Sequence, residues 1–317
     1  MIQYIRRENM TPASGRNTAD AITLHKDFAE ETGVGKRIVA STSTCCLDYY
    51  EHSHDIRMIR IKLEINGELY ADGTEMPADK FYKMLEDDPT LIPKTSQVPI
   101  GELLEFFEGL YAEGYDEVFV TTISAKLSGS YNGIVAAAGI LADKMKIETY
   151  DTKTVCFNEG MFALRASEMI ETGASFDEVR AALDHMAENN MIMFAVEHLD
   201  FLIKNGRLSN AAGFGANLLQ IKPLLEVQSD GEIRSIKNIR KITRALDEVA
   251  QRAKEYTAGH KDYFIYYVAT TTERLDYLKE ATKLALGEND FPFMPCTPIV
   301  GCHVGNGAIG IGIFLND

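Results

Sequence analysis

Glu117-Val-Phe-Val-Thr-Thr-Ile123 is a continuous apolar and β-branched run, and Ser124-Ala-Lys-Leu-Ser128-Gly129-Ser130 follows it directly. The first segment reads as a buried strand. The second leads into a small-residue-rich stretch, Ser128 to Ala142, with the composition of a tightly packed helix. Lys146 to Tyr150 then reads as the next strand. A strand, a helix and a strand in succession predict a parallel sheet covered by helices. Working outward, Ile38 to Ser41 is a short buried strand. Ile56 to Ile65 reads as another, ending at Asn66-Gly67, a strong two-residue hairpin signal. Pro77 suits the first turn of a helix through Leu85, and Pro99 opens one over Ile100 to Ala112. In the latter, Leu103, Leu104, Phe107, Leu110 and Tyr111 recur at helical spacing.

Past residue 155 the pattern changes. Helices are predicted over Gly160 to Glu171 and Ser175 to Asn189, before a strand at Met191 to Val196. Pro223 to Gln228 and Glu232 to Ile236 flank Asp230-Gly231, another hairpin signal. A helix over Ile239 to Tyr256, a strand at Tyr263 to Ala269, a helix over Glu273 to Leu286 and a final strand pair after Pro292 complete the reading. Hairpins interleaved with helices predict an α+β unit with a mostly antiparallel sheet. The expected organisation is an α/β fold of two domains. An N-terminal extension, 1–36, precedes an α/β domain, 37–155, with a parallel sheet flanked by helices. The C-terminal α+β domain is 156–317.

The 317 residues carry a formal net charge of −15. Such a surface repels phosphate backbones, so nucleic acid is not an expected partner. The apolar runs fall short of the ~20 residues that cross a bilayer, and residues 1–36 hold no signal-like apolar stretch. Five cysteines without regular spacing fit a reducing compartment, so a cytoplasmic location without stable membrane insertion is expected. One stretch opposes the net charge. Ile233 to Leu246 holds Arg234, Lys237, Arg240, Lys241 and Arg244 and no acidic residue. On the predicted helix, Lys237, Arg240 or Lys241, and Arg244 share a face, which is either a solvated surface or a docking patch for an acidic partner.

Familiar catalytic engines are missing. Gly305-Asn-Gly307-Ala-Ile-Gly310 satisfies G-x-G-x-x-G, but Ile311, Ile313 and Phe314 read as strand where a dinucleotide site needs a helix. Cys45-Cys46 with His52 and His54 lacks zinc-site spacing, so neither a metal nor another cofactor is expected. No nucleophile elbow and no P-loop occur. What remains are hydroxyls and glycines at segment ends: Ser43-Thr44, Lys94-Thr95-Ser96-Gln97 and Ser124 to Ser130. Each can simply cap a helix. Together, at successive strand ends, they also suit an anionic ligand. His303, between Gly301 and Gly305, is open to either a structural or a ligand-binding role.

The order of these pieces resembles the DegV family. Thr95-Ser96-Gln97 is similar to its T-S-Q-P-S element, and Ile123 to Tyr131 to I-S-S-x-L-S-G-T-Y. Tyr70-Ala-Asp72-Gly73 matches Y-x-D-G, and Asn205 to Ser209 matches G-G-R-I-S. Gln220 to Leu224 with Asp230-Gly231 matches I-K-P-I…D-G, and Gly301 to Gly307 resembles G-x-H-T-G-P-G. The resemblance implies two domains holding a long-chain fatty acid in a buried tunnel between them. The protein would be a non-catalytic carrier that presents the carboxylate to an ATP-dependent fatty acid kinase, which makes an acyl phosphate. By position, Ser96 and His303 would bind the carboxylate, with Thr95 and Lys62 beside them. Ser43, Thr44, Ser128, Gly129, Ser130 and Gly305 would line the pocket. Arg207 would face the kinase, with Lys237, Arg240 and Arg244 extending that surface. Departures exist: Thr42-Ser43-Thr44-Cys45-Cys46-Leu47 lacks both aspartates of the family's D-S-T-A-D-L, and Asn306 replaces a proline. The competing reading is an enzyme acting on a small carboxylate metabolite, with Ser96 or His303 doing the chemistry and Arg60 or Lys62 binding the anion.

Overall fold

A computed structural model describes residues 35–209 and 221–317. Residues 1–34 of the expected extension and Gln220 of the I-K-P-I match lie outside the described residues. The first sheet joins β1 (Arg37–Thr42), β2 (Ile56–Ile59), β6 (Glu117–Thr122) and β7 (Lys146–Asp151) in the order β2-β1-β6-β7. Every pairing in it is parallel. β1 is buried at every residue but Arg37, and β6 at every residue but Glu117. Strands covered on both faces have such continuous apolar sequences.

The second sheet orders β10 (Ile233–Lys237), β9 (Leu224–Val227), β8 (Asn190–Ala195), β13 (Ile309–Leu315), β11 (Tyr263–Ala269) and β12 (Phe293–Pro295) from edge to edge. All neighbours are antiparallel except β11 and β12. The final two strands therefore do not pair with each other; both flank β11, and a helix, α9 (Pro298–Val304), runs between them. Pro298 supplies its helical first turn, and the chain is helical through Val304, carrying His303.

A third, small antiparallel sheet has the order β4 (Glu68–Ala71), β3 (Lys62–Ile65), β5 (Lys94–Ser96). The single strand expected over Ile56 to Ile65 is thus two strands in two sheets. The break falls at Arg60, whose guanidinium is drawn to Asp48 and to the backbone carbonyl of Asp72. The Asn66-Gly67 hairpin stands as read, with Ile65 opposite Glu68.

Helices α1 (Ala78–Asp87), α2 (Ile100–Ala112) and α3 (Ser130–Ile140) belong to the N-terminal half. α5 (Phe176–Glu188) opens with a reciprocal capping box between Ser175 and Glu178. α6 (Asp200–Lys204) is short, and α7 (Ile242–Thr257) and α8 (Leu275–Leu286) cover the second sheet. α7 starts three residues later than the sequence suggested. Lys237 consequently ends β10 and Arg240 lies in the connection, so neither shares a helical face with Arg244. Lys237 is also paired with Glu248 at 2.6 Å.

α4 (Phe157–Glu171) joins the halves. Eleven of its 15 residues are buried, the pattern of a helix enclosed on all sides. Phe162 meets Tyr150 of β7 at 6.0 Å and Phe314 of β13 at 6.1 Å between ring centroids. Asn158 Nδ2 donates to Asn190 Oδ1 of β8 at 2.9 Å. The expected domain boundary after residue 155 lies in the turn between β7 and α4.

Candidate functional site

A cavity with about 800 Å³ of space unfilled by protein atoms, counting its opening to solvent, lies where the sheets converge. Its walls are mostly aliphatic. β8 supplies Ile192 and Phe194, β11 Val268 and Ala269, and α9 Ile299, Val300 and Val304. The turn after β6 adds Ile123 and Leu127. Cys156 and Cys296 also face it, their sulfurs 4.0 Å apart.

Polar groups gather in one place. Thr95 on β5 and His303 on α9 share a hydrogen bond, Oγ1 to Nε2, at 3.0 Å. His303 Nδ1 is buried and has no partner among the described residues. Burial, reinforced by the positive charge of Arg207, pushes the imidazole down to about 4, so the ring is neutral at physiological pH. Arg207 donates from Nε to the carbonyl of Leu127 at 3.1 Å and from Nη1 to that of Asn205. Among the described residues it has no carboxylate partner and is the only charged side chain lining the cavity. Ser128 completes the cluster; its Oγ is 2.9 Å from Ser130 Oγ. A guanidinium with no carboxylate partner among the described residues, at the edge of an apolar cavity and beside a neutral imidazole and two hydroxyls, has the chemistry to pair with one anionic head group.

The residues expected from the sequence divide into two sets. Thr95, His303, Ser128 and Thr44 line the cavity, whereas Ser96 does not. Side chains alternate along β5, so when Thr95 faces inward its neighbour faces the other way. Lys62 pairs with Ser96 across the small sheet, and its ammonium is bound to Glu102 Oε1 at 2.6 Å, off the cavity wall. Ser43 accepts from the Ile61 amide at 3.3 Å and packs behind the wall. Gly129 lies against Gln97, and Gly305, at φ +71°, against Phe201. Arg207, expected to face a partner, lines the cavity while remaining partly exposed. Arg240 and Arg244 are exposed.

Sequence reasoning missed Glu159. Wholly buried on α4, it accepts from Ser41 Oγ at 3.4 Å, from Thr42 Oγ1, and from Thr44 Oγ1 at 2.5 Å. Burial pushes its carboxyl up to about 8, opposed by these hydroxyls. Thr44 therefore spends its proton on Glu159 when that carboxylate is ionised, and offers the cavity only lone pairs. The available signal was an acidic residue immediately before the apolar run Gly160 to Leu164. Among the described residues, no three His, Cys, Asp or Glu side chains are grouped to hold a metal, and no helix is long and apolar enough to cross a membrane.

Comparison with known proteins places the fold in a family. The model of the family described as "Uncharacterised protein, DegV family" matches residues 37–316. The chain belongs to the DegV family. A DegV domain-containing protein of Listeria monocytogenes is 29% identical over 282 residues, covering 86% of this chain and 96% of that one. Among solved structures, a fatty acid binding DegV family protein of Streptococcus agalactiae superposes with a TM-score of 0.79 at 27% identity, covering 90% of this chain and all of its own. A stearic acid-binding protein of Eubacterium ventriosum gives 0.77 at 25% identity, with 87% and 97% covered. The DegV fold accounts for both observed sheets, the parallel four-stranded one and the mostly antiparallel six-stranded one.

Proposed function

We propose that this DegV protein binds a long-chain fatty acid in the cavity, with the carboxylate at Arg207, His303, Thr95 and Ser128, and presents it to an ATP-dependent kinase. The observation that carries this reading is the pairing of an aliphatic cavity with Arg207, a cation that has no carboxylate partner among the described residues. Burying ~15 methylenes at ~0.8 kcal/mol each contributes on the order of 12 kcal/mol before the costs of association. The acyl chain thus supplies affinity, and the polar cluster fixes orientation and pairs the charge. The exposed Arg240 and Arg244 leave a basic surface for a partner. An enzymatic role on a small carboxylate is less well supported. His303, pushed down to about 4, is a weak base at neutral pH, and a small anion would leave most of the aliphatic wall empty.

The test is to denature the purified protein, extract the organic phase and identify lipids by mass spectrometry, for the native chain and for Arg207→Gln. Near-stoichiometric fatty acid in the native chain, reduced in the variant, supports the reading. A native chain that carries no lipid and takes up none when offered would overturn it.

A further inference from the structure

The helix that carries the imidazole of the site is not held by its own sequence. α9 begins Thr297-Pro298, a good cap and first-turn pair, yet the Thr297 side chain makes no capping hydrogen bond. Its Oγ1 has no partner among the described residues. The amide of Ile299 donates instead to Asp72 Oδ1, 227 positions away, at 3.2 Å. Asp72 follows β4 directly and is fully buried. It is held in turn: its amide donates to the Ile61 carbonyl at 3.1 Å and its carbonyl accepts from Arg60 at 3.1 Å, while its Oδ2 has no hydrogen-bond partner among the described residues.

The other end of α9 hangs from the same small sheet. His303, in its last turn, meets Thr95 of β5, while Asn205 Nδ2 donates to the Cys302 carbonyl at 3.0 Å. A helix of seven residues has too few internal hydrogen bonds to fix its own position, so its caps decide where it sits.

We infer that Asp72 is a positioning residue of the carboxylate site: by capping α9 from the small sheet it sets where His303 stands relative to Thr95 and Arg207. Asp72 is not among the residues lining the cavity, so its effect passes through α9. The inference rests on the proposed function for the ligand's identity, though the geometry itself needs no ligand. Keeping a carboxyl there is costly, since burial pushes it up to about 7, and the cap is what it gives in return.

The experiment uses the full chain stripped of lipid, as the wild type, Asp72→Ala and Asp72→Asn. The His303 ring is followed by NMR through a pH titration, and palmitate binding is measured separately. Asn keeps the Oδ1 acceptor and mimics the neutral carboxyl. In Asp72→Ala, the ring is expected to titrate closer to its ordinary value of 6.5 rather than about 4. Palmitate binding is expected to weaken about tenfold, the net worth of one hydrogen bond, and Asp72→Asn to restore both. Should Asp72→Ala fail to fold, Asp72→Ser, whose oxygen is too short to reach Ile299, is expected to give the same result. A truncation that leaves the ring titration and palmitate binding unchanged overturns the inference, as does Asp72→Asn behaving like the truncation. If the wild type binds no palmitate, the proposed function fails, while the ring titration still decides the role of Asp72.

Discussion

Replacing Glu159 with glutamine should change how stability depends on pH. The carboxyl is pushed from an ordinary 4.5 up to about 8 in the folded chain. Folding therefore favours its protonated form. The stability it contributes is fully present below pH 4.5, is lost progressively as pH rises toward 8, and is constant above that. Across this window the loss approaches ~1.4 kcal/mol per pH unit, roughly 5 kcal/mol at most in total. Glutamine cannot ionise, so its curve lacks that slope. Near pH 5 the variant should be no more stable than the wild type, because it forgoes part of the hydroxyl cluster of Ser41, Thr42 and Thr44. Toward pH 8 it should become the more stable of the two. Some slope will persist in both, because Asp72 is likewise pushed up, from 3.8 to about 7. Urea unfolding followed by far-ultraviolet circular dichroism at pH 5, 6, 7 and 8 measures the difference. Parallel curves would refute the view that Glu159 is an ionisable group held in the core against its solvation cost.

Ala269, buried on the cavity wall, offers control of the acyl chain: Ala269→Phe should shift retained lipids toward shorter chains, read by mass spectrometry of the extract. Reversing charge with Arg240→Glu and Arg244→Glu should leave lipid binding intact and lower acyl phosphate formation when a cognate kinase is added; loss of lipid binding would sink that separation. Gly231 sits at φ +88°, and a Cβ there would lie 2.2 Å from Ser124 Oγ. Gly231→Ala should accordingly cost about 1–3 kcal/mol, visible as a lower melting temperature, because the β9–β10 turn rests on the loop after β6.

The parallel core was legible because β1 and β6 are covered on both faces and so spell continuous apolar runs. The small sheet was not. β3 buries only Leu63 and Ile65 and β4 buries no residue, and nothing in Ile56 to Ile65 marks a change of sheet except Arg60. The choice between Thr95 and Ser96 depends on which face of β5 meets α9, a fact of tertiary packing absent from a three-residue strand. Arg207 was placed toward a partner only by the resemblance. Its side chain turns inward through backbone carbonyls at Leu127 and Asn205, and carbonyl partners leave no trace in sequence. Glu159 was hidden for a related reason: its hydroxyl partners lie 115 to 118 positions away.

The helix shared by both sheets has a consequence for kinetics. α4 is wedged between β7 and β13 by Phe162 and tied to β8 through Asn158, so the halves cannot hinge apart without tearing its aromatic contacts. On the proposed function, a lipid would come and go by local loosening at the cavity's rim, with the central scaffold unmoved. Exchange through a narrow breach of that kind is slow, and its rate should respond to substitutions at the rim far more than to those along α4.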